Sequence, residues 1–211
     1  MERHRRRCDA GTMTDTDVRV SRQPFRLVRT AAVGAPVLLL LYGILRIIDG
    51  LDGERGSGWA WNVGHALFLI AFVLFAGLVV GLRQLLLANS RGAGSSTTPP
   101  GGLRVLLDVA MVAGLVGAGA FLWVILGDLF PRLADAAPLP EPVMVAGPLL
   151  FQLGLLTLLV RAAVARPRLV PVWGPPLALL GFLSIAVNLD LLPIGAALIL
   201  SGLLPLGRRT E

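Results

Sequence analysis

Five polar side chains stand inside or at the edges of long apolar runs: Arg46, His65, Asp108, Gln152 and Asn188. A group of this kind in lipid is costly unless it is paired. Each is therefore a candidate to line an ion or solute pathway or to pair structurally with a neighbour. His65 lies one turn inside the outer end of its run, where a lone histidine reads first as structural and otherwise as a pathway residue. Gln152 is the deepest of the five and is expected to bond a neighbouring helix. Arg46 and Asp49 share a helix face at three-residue spacing, and Arg104 can pair with Asp108 four residues on. Three carboxylates, Asp49, Asp128 and Asp190, fall where alternate runs end. Together they would gather cations or meet a basic partner.

Other chemistry is limited by what the chain lacks. One cysteine, Cys8, allows neither an internal disulfide nor a CxxC redox pair. Two histidines, His4 and His65, cannot hold a haem between two spans of a single copy. Ser184 and Ser201 have no base placed beside them, so no nucleophile is activated. Asp49, Asp52 and Glu54 lack the alternating oxygens of an EF-hand loop. No catalytic residue, metal or cofactor is expected, and the chain reads as a non-enzyme.

These residues must be held by the runs around them. Between His65 and Arg83, residues 66–82 contain no ionisable side chain. About twenty apolar residues at about 1.5 Å each cross a hydrocarbon layer of about 30 Å. Lipid offers no partner to a bare backbone, so such a run is a helix. Similar runs cover 28–48, 62–87, 103–127, 143–164, 172–189 and 192–206. The last two are short, so the end of the chain either thins the membrane or turns back within it; six spans is the expected count. The fold class is all-α, a polytopic transmembrane helix bundle.

The expected organisation is a flexible polar tail over 1–27, a helical hairpin over 28–87 and a Gly/Ser/Thr/Pro-rich linker over 88–102. A four-span bundle over 103–206 and a short tail over 207–211 follow. Met13 opens MTDTDVRVSRQ and is a second candidate start. Gly77 and Gly81 form a GxxxG pair, and Ala110, Gly114 and Ala118 repeat every four residues. Both faces should admit a neighbouring helix closely. Phe68, Phe72 and Phe75 recur at helical spacing, which points to packing.

The chain is 55% hydrophobic, 15% charged and carries a net charge of +6, all of its basic residues being arginine. With six spans, sixteen of the nineteen arginines fall on one side. Only Arg46, Arg55 and Arg132 lie opposite. Basic residues are retained in the cytoplasm, so both termini are expected there and the cell membrane is the expected location. The basic charge marks membrane sidedness and does not call for nucleic acid. The expected partners are the lipid bilayer and either another membrane protein or a second copy of this chain. The first functional expectation is a non-catalytic accessory, assembly or helix-packing subunit of bacterial origin. The alternatives are a small transporter or channel and, after it, a lipid-active enzyme.

Overall fold

The computed structural model describes residues 15–51, 56, 58–92 and 101–208. Among them there is no strand. Seven α-helices follow in order: α1 (Asp15–Asp49), α2 (Trp59–Gly92), α3 (Gly101–Leu129), α4 (Pro131–Ala136), α5 (Glu141–Val164), α6 (Gly174–Val187) and α7 (Leu192–Gly207). A 3-10 turn, Leu189–Leu191, joins the last two. Five segments are long and apolar enough to cross a membrane: Arg26–Asp49, Trp59–Ser90, Gly101–Leu129, Glu141–Val164 and Leu189–Gly207. Helix α6 is shorter, with 14 residues. At about 1.5 Å per residue it reaches about 21 Å. The chain is an all-α membrane helix bundle.

Each long helix packs on the next, and α7 returns to pack on α1, so the six larger helices close into a ring. Lipid does not drive helices together by hydrophobic force, so close van der Waals fit must do it. Glycine supplies that fit. On α3, a methyl at Gly117 would fall into the backbone of Gly147 and Phe151 on α5. A methyl at Gly154 would fall into Ala110 and Gly114. The expected face of Ala110, Gly114 and Ala118 is buried, and Gly117 joins it. The GxxxG pair meets α1: a Cβ on Gly81 would lie 2.5 Å from Val28, and one on Gly77 would lie 3.4 Å from Leu27.

Helices α6 and α7 form an antiparallel hairpin. Gly174 meets Gly202, and seven residues on, Gly181 meets Gly195, seven residues back. Helix α7 then lies antiparallel to α1, with Leu192 beside Gly43 and Gly207 beside Val33. The start of the first span and the end of the last therefore share one end of the bundle. The first residues of α7, Leu192 and Pro193, lie at the level of Gly43, six residues or about 9 Å from Asp49 at 1.5 Å per residue.

The centre of the ring is filled by phenylalanine. Phe72 and Phe75 of α2, Phe121 of α3, Phe151 of α5 and Phe182 of α6 touch one another. Phe72 and Phe121 lie 4.1 Å apart between ring centroids, and Phe151 meets Phe182 at 5.7 Å with the planes at 90°. Phe75 and Phe151 are fully buried. Edge-to-face contact suits the ring quadrupole and locks these side chains together.

Some boundaries differ from the sequence reading. Helix α1 begins at Asp15, so its backbone is helical through the second half of the expected tail. Elongating an existing helix adds one hydrogen bond per residue, so a membrane helix continues into water until something stops it. The expected linker shrinks at both ends, since α2 runs to Gly92 and α3 starts at Gly101; 93–100 lie outside the described residues. The stretch between the expected runs 103–127 and 143–164 holds α4, which opens with Pro131 at its first position.

Candidate functional site

At the end of the bundle where α1 and α3 finish and α2 begins, three helices bring polar side chains together. Helix α1 contributes Tyr42, Arg46 and Asp49, spaced four and three apart on one face. Helix α2 contributes Trp61 and His65, one turn apart. Helix α3 contributes Asp128 from its last turn. His65 is 2% exposed and Asp49 is 7% exposed, and they are the buried polar residues among those described.

His65 is held from every side. Its Nδ1 lies 2.9 Å from the Trp61 carbonyl oxygen. A carbonyl only accepts, so Nδ1 carries a proton and donates it. Its Nε2 faces Asp128 Oδ2 at 3.5 Å. Trp61 lies against one side of the imidazole at 3.9 Å between centroids, and Tyr42 meets it edge-on at 5.3 Å. Tyr42 in turn stacks on Phe68 at 4.4 Å, and Phe68 touches Phe72. An unbroken aromatic ladder thus joins the polar end to the packed centre.

The charges are arranged as two carboxylates around one guanidinium and one imidazole. The Arg46 guanidinium lies beside the Tyr42 hydroxyl, with Asp49 and Asp128 within electrostatic reach of the same group. The Arg46 Nε is buried without a hydrogen-bond partner. Asp49 Oδ2 accepts from the Gly56 amide at 3.2 Å. Asp49 and Asp128 both sit at helix C-termini, where exposed carbonyls disfavour negative charge. The nearby Arg46 guanidinium offsets part of that cost.

A second ion pair closes the other end of α2 and α3. Arg83 Nε donates to Asp108 Oδ1 at 2.6 Å. Asp108 is thus taken across the helix pair by Arg83, where sequence spacing pointed to Arg104. Pairing between helices wins because Arg83 and Asp108 face each other at the level that the helix register sets.

No protein-family model, curated protein or solved structure matches this chain. The reading of the site therefore rests on its geometry.

The remaining candidates stand apart. Gln152 is half-buried and makes no hydrogen bond to a neighbouring helix among the described residues. Asn188 is exposed, and its side-chain oxygen accepts from the Asp190 amide at 2.9 Å, so it caps the turn between α6 and α7. Asp190 is exposed at the same corner. Among the described residues, no cluster of three His, Cys, Asp or Glu side chains could hold a metal ion. Asp52 and Glu54 lie outside the described residues.

Sequence reasoning pairs Arg46 with Asp49 and groups Asp49 with Asp128 and Asp190, but it leaves His65 apart from them and does not single out Tyr42. A signal was present. His65, Phe72 and Val79 step by seven along α2, and Asp128, Phe121 and Gly114 step back by seven along α3, pair by pair in contact. Such a heptad match is the register of helices packed at a shallow left-handed crossing.

Proposed function

We propose that this chain is a non-catalytic multi-pass protein of the bacterial cell membrane, an accessory or assembly subunit whose bundle serves as a rigid packing element. In this reading both termini are cytoplasmic and the His65 cluster faces outward, as the distribution of arginine favours. The observation that carries it is the interior. Five interlocked phenylalanine rings occupy the ring centre, and glycine seams bring the helices to backbone contact. A conduit along that axis would need these rings displaced together. An enzyme would need a nucleophile, base or metal set converging on a cavity. Of the polar groups that do converge, His65 is engaged by the Trp61 carbonyl and Asp128, and Asp49 by the Gly56 amide.

Two measurements test this. Purified protein in sealed vesicles is expected to pass protons, alkali cations and small solutes no faster than protein-free vesicles. Cross-linking in intact membranes is expected to trap the same stoichiometric membrane-protein neighbour, or a second copy, in repeated preparations. A saturable flux that vanishes in His65→Gln would replace this reading with a small transporter. The His65–Asp128 contact is the one feature that favours that alternative, since ionisable groups inside spans mark ion pathways elsewhere.

A further inference from the structure

We propose that His65 and Asp128 form a proton-operated clasp, a site whose ligand is a single proton and whose occupancy fastens the end of α3 to α2. The inference goes beyond the functional reading and holds for a packing subunit or a transporter alike.

The argument rests on which nitrogen is free. The Trp61 carbonyl can only accept, so the Nδ1 proton is committed to it at 2.9 Å. Nε2 is left facing Asp128 Oδ2 at 3.5 Å. With a proton on Nε2 the ring is a cation beside a carboxylate, and the contact is attractive. Without it, a nitrogen lone pair faces a carboxylate oxygen, and the contact repels. The 2% exposure of His65 leaves little water to screen either state. The proton enters from the aqueous side, where the Asp128 side chain is 42% exposed.

Asp128 of α3 faces the ring, and Tyr42 of α1 meets its edge, with Arg46 beside the Tyr42 hydroxyl and Asp49 within electrostatic reach of that hydroxyl. Movement has a defined unit. Gly127 packs on Ala134 of α4, and Trp123 Nε1 donates to the Ala137 carbonyl at 3.1 Å. Release of Asp128 would therefore carry the α3 end and α4 together. The glycine seam of α3 against α5, deeper in the bundle, limits the motion to this outer corner.

The test uses the full chain in lipid nanodiscs. In a His4→Ala background, nitrogen-15 labelled histidine reports His65 alone. At alkaline pH the neutral ring is expected to show the Nδ1–H tautomer; the Nε2–H tautomer would overturn the proposal. In a Cys8→Ser background, spin labels at Val63→Cys and Phe130→Cys report the distance between the start of α2 and the end of α3. Across a titration from acid to alkaline pH, the distance is expected to be short and narrow at the acid end and to lengthen and broaden at the alkaline end. Asp128→Asn is expected to lose this response, since a neutral amide can donate to the lone pair and stays closed throughout. A wild-type distance that does not change with pH, or a response that persists in Asp128→Asn, would overturn the clasp.

Discussion

Arg83 and Asp108 meet across α2 and α3 with the Arg83 Nε 2.6 Å from a carboxylate oxygen, at the opposite end of the same helix pair from His65 and Asp128. The two contacts frame a heptad register through Phe72–Phe121 and Val79–Gly114. Polar pairs at both ends and close apolar contact between them hold α2 and α3 in one alignment.

Breaking the first pair is expected to cost modest stability. Asp108→Ala leaves a half-buried guanidinium without its partner and should destabilise by about 1 kcal/mol. Arg104→Ala should change stability by less than about 0.5 kcal/mol, as exposed sites do. A double-mutant cycle on Arg83 and Asp108, read by thermal unfolding in detergent, checks that the coupling lies between α2 and α3.

The glycine seams separate into tolerant and intolerant positions. Gly117→Ala places a methyl in the backbone of α5, which cannot yield without parting the helices, and should cost about 1–3 kcal/mol. Gly119→Ala, two residues away, points into open space and should be nearly neutral. Comparing the melting temperatures of the two variants checks that α3 presents its Gly117 face to α5.

Removing the central ring is expected to weaken the bundle without making it conduct. Phe151→Ala deletes a fully buried side chain touching Phe72, Phe75, Phe121 and Phe182, and should cost about 3 kcal/mol. The cavity is lined by apolar groups and should take up xenon while staying dry. A proton leak in vesicles carrying this variant would show that water reaches the ring axis.

Much of the fold could be read from residue order, and the reasons differ by level. A charge-free run such as 66–82 must be helical in lipid, so α2 was legible without knowing any neighbour. Small residues every four positions announced the α3 seam, because only small side chains allow helices so close. The site was legible only as separate residues. Helical periodicity tells which side chains share a face, and not which helix that face meets. Tyr42 looked like one more apolar residue until the α1–α2 register placed it against His65. Asp108 has Arg104 nearer in sequence, yet its partner is Arg83 on the adjoining helix. The shortness of α6 was partly visible in the turn residues Asn188 and Asp190, while the depth of that corner depends on how α7 meets Gly43.

The closed ring of helices is tested most directly by joining its first and last members. In a Cys8→Ser background, Val33→Cys removes the methyls that Gly207 packs against, and Gly207→Cys places a sulfur beside it. Mild oxidation of this double variant in native membranes is expected to cross-link α1 to α7 efficiently within one chain. Two thiols that react freely with a lipid-permeant maleimide yet never cross-link would contradict the ring, and with it the packed interior on which the proposed function stands.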